Sequence, residues 1–116
     1  MTRHILKTDV VMWHAMRRGD KKFEIRSEHD RVFTRHDELI FIPWDRLRSA
    51  VPSLLSRPMS GSGSDQLITC LLAKVGLVVH GFGLPANLCV FGLEELMPNE
   101  VTSGMIDLGL KTGPVT

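Results

Sequence analysis

The stretch Gly19-Asp-Lys-Lys-Phe-Glu-Ile-Arg26 constrains the fold more than any other. A glycine closes a segment of helical spacing, and a strand-like alternation follows at once. Side chains two apart in a strand share a face. Lys22, Glu24 and Arg26 are therefore predicted on one face, and Phe23 and Ile25 on the other, turned to the core. Lys21 stands at the mouth of the turn. This segment concentrates charge beside ordered backbone.

The elements around it follow from local chemistry. Residues 3–7 read as a first strand, and Thr8 or Asp9 can cap the helix predicted over 10–18. Trp13 fits the core stripe of that helix, and Arg17 and Arg18 suit the negative end of its dipole. Strands are predicted over 22–27 and 39–44. Pro43 places the end of the latter at a sheet edge or bulge. Residues 45–56 have weak helical spacing broken by Pro52, and 57–65 read as a flexible loop rich in Gly and Ser. A long apolar run, 66–79 with a break at Gly76, reads as one strand. It is followed by the turn His80-Gly-Phe-Gly-Leu-Pro and a buried strand over 88–93. The pattern fades after Glu94, and 95–116 read as a tail that packs through Met105, Ile106, Leu108 and Leu110. The order points to an α+β class: a small, partly closed barrel of about five to six mostly antiparallel strands with one or two helices.

The chain of 116 residues is expected to be a single domain, 1–116, with an insert at 46–65 and the tail. No charge-free apolar run reaches membrane-spanning length, and the N-terminus has no apolar leader. A cytoplasmic protein is the expectation. The net charge of +1 hides an asymmetry: seven of the 14 Lys and Arg residues lie between Arg17 and Arg35. Such a patch suits phosphates, although interleaved acids would also make it an ordinary solvated face.

Cys70 and Cys89 would lie almost opposite each other in a hairpin centred near His80. That leaves a disulfide geometrically open, while buried free thiols fit a reducing compartment. Two cysteines and five histidines show no ligand spacing such as C-x-x-C or H-x-x-x-H, so neither a metal nor another cofactor is expected.

Three motifs carry a family resemblance. They are His4-x-Leu6-Lys7; Gly19-x-Lys21-x-Phe23-Glu24-Ile25-Arg26 with Asp30-Arg31-x-Phe33 and Asp37; and Phe82-Gly83-Leu84-Pro85 followed by Val90-Phe91-Gly92-Leu93. On these the chain resembles the ASCH domain family, of PUA-like fold, and within it a small branch associated with phage genomes. His36 stands where that branch usually has glycine, and Lys22 replaces a common threonine. The resemblance implies RNA binding, or amide hydrolysis of an acylated cytidine by a lysine, a threonine and a distant glutamate. Lys21 takes the lysine position and Glu24 the threonine position. No residue here matches the distant glutamate.

The candidate catalytic residues are accordingly Lys21 and Glu24. The candidate ligand-binding residues are His4, Lys7, Lys22, Arg26, Arg31 and Trp44. The alternative for Glu24 and Arg26 is a structural ion pair, and for His4 a satisfied core residue. The leading expectation is an RNA- or nucleotide-binding module with a cationic cleft. A modified-nucleoside amidohydrolase comes next. The third is a phage-encoded module that inhibits a host or defence protein through the insert or tail.

Overall fold

The computed structural model describes residues 1–59, 61 and 65–106. Strand β1 (Arg3–Asp9) runs directly into helix α1 (Val10–Arg17). The Asp9 carboxylate accepts from Val11 N at 3.0 Å and caps the helix. Trp13 and Met16 are fully buried, while Val11 and Met12 face out, so the apolar stripe is narrower than the composition of α1 suggests. Trp13 also donates from Nε1 to the Phe41 carbonyl at 3.0 Å, which satisfies its one polar atom in the core. Gly19 closes α1 at φ +83, a conformation that favours glycine.

Strands β2 (Phe23–Ser27), β3 (Glu38–Trp44), β4 (Ser56–Pro58), β5 (Gln66–Val79) and β6 (Leu88–Thr102) complete one six-stranded sheet. The order is β1-β3-β5-β6-β2, with β4 added to β5. Among the described residues, only β1 and β3 pair in parallel; the other strand pairings are antiparallel. The α+β class and the strand number agree with the sequence reading. The sheet curls into a half-barrel whose two free edges are β1 and β2. One cluster fills its interior: Leu6, Trp13, Met16, Leu39, Phe41 and Phe91 are among its members. A second, with Ile40, Ile42, Ile68, Cys70 and Ile106, covers the other face of β3 and β5. The two clusters explain why β3 is apolar on both faces.

Pro43 lies beyond Phe41, the last β3 residue paired with β5, so its missing N–H costs no ladder bond on that side. The β5 ladder shifts register between Val75 and Val78, around Gly76. A Cβ on Gly76 would lie 3.2 Å from the Gly92 carbonyl oxygen and 2.9 Å from the flexible end of Glu94, so glycine relieves crowding at the bulge.

Three expectations about the course of the chain are corrected. The tail does not begin at 95, because β6 continues to Thr102 against β5. A helical turn follows at 103–106, where Ile106 is buried; Leu108 and Leu110 lie outside the described residues. The weak helical spacing of 45–56 yields only a 3-10 turn (Ser53–Leu55) after Pro52, and the start of the predicted flexible loop belongs to β4. The cysteines are also further apart than expected. Val79 pairs with Val90, which centres the hairpin past His80, and Cys70 faces Asn99. Cys70 and Cys89 are free, buried and in different clusters. Burial pushes the Cys70 thiol up to about 12. Among the described residues, no helix is long and apolar enough to cross a membrane.

The turn before β3 is held by Asp37. Its carboxylate accepts from Thr34 N at 2.9 Å, Thr2 N at 3.1 Å and His4 Nε2 at 2.9 Å. His36, at the third position of the turn, has φ 75. That value demands glycine in a type II turn. His36→Gly is expected to raise stability by about 0.5–1 kcal/mol, since relief of left-handed strain outweighs the added chain entropy. Urea unfolding of the two proteins checks this.

Burial pushes the Asp37 carboxyl up, but its hydrogen bonds from His4, Thr34 and Thr2 outweigh burial and leave it below its ordinary 3.8. A depressed acid stabilises the fold above its unfolded value, and that contribution is lost as pH falls through the lowered folded value. Asp37→Asn should therefore cost about 1–3 kcal/mol at pH 7. It should also lose less stability than the wild type between pH 4 and pH 2, read by denaturation at each pH.

Candidate functional site

The free edges of the half-barrel meet at one place. Arg26, on β2, reaches across to β1, where Nη2 donates to Thr8 Oγ1 at 3.2 Å and to the Lys7 carbonyl at 3.5 Å. Arg26 Nε donates to Glu24 Oε2 at 2.7 Å, and Lys21 Nζ donates to Glu24 Oε1 at 2.6 Å. One carboxylate thus carries a cation on each oxygen, and the guanidinium joins it to the opposite strand.

This arrangement corrects the predicted facing of β2. Glu24 is 3% exposed, whereas Phe23 and Ile25 are each 49% exposed. Alternation is real, but the charged face is the inner one. Glu24 pairs with Phe91 and Arg26 with Cys89 in the β2–β6 ladder, and both partners are buried inside the half-barrel. The interior at this seam accepts charge because the triad is mutually satisfied. The ion pair foreseen between Glu24 and Arg26 is present.

A cleft of about 240 Å³ opens over the triad. Lys7, Lys21, Arg26 and Arg46 line it against Asp9 and Glu24, which leaves a surplus of two positive charges. Met12, Phe23 and Ile25 form its apolar wall, half-exposed to solvent. Thr8, Asp9, Met12 and Arg46 line it too but were not among the predicted site residues. They come from the β1–α1 junction and the insert, which approach β2 only through the sheet topology.

Other predicted site residues lie elsewhere. His4 is buried, hydrogen-bonded to Asp37 and packed on Phe33 with ring centroids 4.5 Å apart, so it is a satisfied core residue outside the cleft. Lys22 precedes β2 and is solvated. Arg31 does not line the cleft; burial, and then the Arg26 charge, lower its pKa. Trp44 is absent from the lining, and Lys7 Nζ sits 3.9 Å from its ring centroid, in cation–π geometry.

A larger cavity of about 550 Å³ lies on the far face of the sheet, with Leu39, Ile40, Leu72 and Met97 in its lining. Its rim charges are engaged in the exposed pairs Arg3–Glu38 and Lys74–Glu95. The convergent, shielded charges are in the smaller cleft, so the chemistry is assigned there despite the difference in volume.

Residues 3–93 match the family described as Domain of unknown function (DUF3850). The chain belongs to that family. The matched span contains every residue of the cleft. No curated protein matches the chain.

Removing the carboxylate would leave two cations facing each other at a shielded seam. Glu24→Gln is expected to lower stability by about 1–3 kcal/mol, less than for a fully buried pair because Lys21 remains partly solvated. Chemical denaturation of the variant at pH 7 tests this.

Proposed function

We propose that the cleft binds a nucleotide unit of single-stranded RNA or a free nucleotide. The observation that carries this reading is the pairing of surplus positive charge with a half-exposed Phe23 beside it. Phosphate oxygens would meet Lys21 and Arg26, each exchanging its hydrogen bond to Glu24 for one to the phosphate. A base would stack on Phe23, with Ile25 and Met12 completing the wall. The volume suits one nucleotide unit rather than a duplex. The motif resemblance to ASCH domains supports the same reading, and a cytoplasmic, phage-encoded role accords with it.

A second reading is hydrolysis of an acylated cytidine by Lys21 and Glu24. The short Lys21–Glu24 contact favours it by placing an acid and an amine together in a cleft. Against it, Lys21 is engaged as a donor, and an ammonium has no lone pair to attack a carbonyl. A third reading, inhibition of a host protein, draws on the insert, where Leu47 and Leu54 are almost fully exposed.

Fluorescence anisotropy of a labelled oligoribonucleotide separates these. Binding should weaken with salt, and Lys21→Ala should reduce the log–log salt slope by about 0.7, the loss of one single-strand phosphate contact. Phe23→Ala should cost about 1–3 kcal/mol of affinity, while Glu24→Gln, by adding net positive charge, should tighten binding. Affinity indifferent to both Lys21→Ala and Phe23→Ala would remove the site. Release of free acid from an acylated cytidine, lost in Lys21→Ala, would establish the hydrolase instead. A stable host-protein complex without either property would favour the third reading.

A further inference from the structure

Beyond the last residue of β2 lies a second polar cluster that the cleft does not use. Glu28, His80 and Cys89 each offer one ligand atom, and these atoms lie within 4.8 Å of one another. The sequence conceals the group, because its members are 52 and nine positions apart. The fold assembles it at the point where the end of β2 meets the mouth of the β5–β6 hairpin. Ser27 pairs with Leu88 and Arg26 with Cys89, while Val79 pairs with Val90. His80, one residue past β5, is thereby brought beside Cys89.

From this geometry we infer a transition-metal site, best suited to Zn²⁺, with Glu28, His80 and Cys89 as its three protein ligands and one position open. The ligand set is a carboxylate oxygen, an imidazole nitrogen and a thiolate sulfur, each a common zinc donor. Three protein ligands with a fourth position left to solvent is the pattern of open zinc sites rather than closed structural ones. Carboxylate and thiolate together would balance the charge of the ion.

The frame is built before any ion arrives. Glu28 Oε2 accepts from Phe33 N at 3.0 Å, which fixes one oxygen and leaves Oε1 turned to His80 Nε2, its present hydrogen-bond partner. Glu28 N donates to the Asn87 carbonyl at 2.7 Å and clamps the β2 end to the hairpin. Burial, and then the Glu28 charge, push the Cys89 thiol up to about 11, so an ion bound here would displace the thiol proton. His80 is exposed while Glu28 and Cys89 lie progressively deeper, so the cluster opens to solvent on the histidine side. Tetrahedral zinc with bonds of about 2.0–2.3 Å would replace the Glu28–His80 hydrogen bond and set its two atoms further apart around the ion, a movement the solvent-exposed His80 can supply.

Cobalt(II) is the probe, titrated into the metal-free full chain with Zn²⁺ as competitor. One equivalent should give a thiolate-to-cobalt charge-transfer band in the near ultraviolet, bleached by one equivalent of Zn²⁺. The band should vanish in Cys89→Ser and persist in Cys70→Ser. Because Cys89 is buried, the surface variant His80→Ala is the main test. It should stay folded by circular dichroism and weaken cobalt binding more than the roughly 10–100-fold typical of outer-shell changes. Zinc should raise the melting temperature of the wild type and not that of His80→Ala. Absence of the band in the wild type, its survival in Cys89→Ser, or unchanged affinity in a folded His80→Ala would each overturn the site. RNA affinity, which belongs to the cleft at the other end of β2, is not an arm of this test.

Discussion

The half-barrel depends on what happens where its sheet fails to close. Strands β1 and β2 are the two ends of the strand order and make no ladder with each other. An open seam between edge strands would expose unpaired backbone groups and invite pairing with another chain. Here Arg26 spans the gap with side-chain donors to Thr8 and to the Lys7 carbonyl. Its own charge is balanced by Glu24, which is balanced again by Lys21. Closure by a guanidinium instead of a backbone ladder leaves a gap, and that gap is the cleft. Structure and candidate site therefore have the same origin.

This explains the misreading of β2. Period-two alternation was visible, and it placed Glu24 and Arg26 on one face correctly. Alternation alone does not say which face is inside; the usual assumption sends charge outward. That assumption fails where a polar triad satisfies itself, because each member removes the penalty for burying the others. Nothing local to residues 22–27 marks the exception. The deciding partners, Thr8 and the Lys7 carbonyl, are 18 and 19 positions away.

Elements with strong local signals were legible: the capped helix after β1, the glycine stop, the apolar β5 with its break at Gly76, and the hairpin turn. Properties set by register were not. A hairpin centre displaced by a few residues moved Cys70 away from Cys89 and brought His80 to it. The long reach of β6 was hidden because its second half, Glu94–Glu100, is mostly polar and lies exposed on β5. His36 is a different case. Its residue type conflicts with its backbone, and the conflict is outweighed locally by His36 N donating to the Val75 carbonyl at 2.8 Å and by the bonds of Asp37 to the same turn.

The inward turn of Glu24 has a consequence for what the cleft can do. A carboxylate with a cation on each oxygen has both oxygens engaged as acceptors. It is well suited to keeping Lys21 and Arg26 at fixed positions without a ligand present. Pre-set cations lose little side-chain freedom when an anion arrives. An incoming phosphate would compete with Glu24 for their hydrogens, drawn by the surplus charge that Lys7 and Arg46 add to the cleft. The same turn that hides Glu24 exposes Phe23, so the strand offers charge within the seam and an aromatic face beside it. That coupling of inward charge and outward aromatic is the geometry on which the proposed nucleotide binding rests.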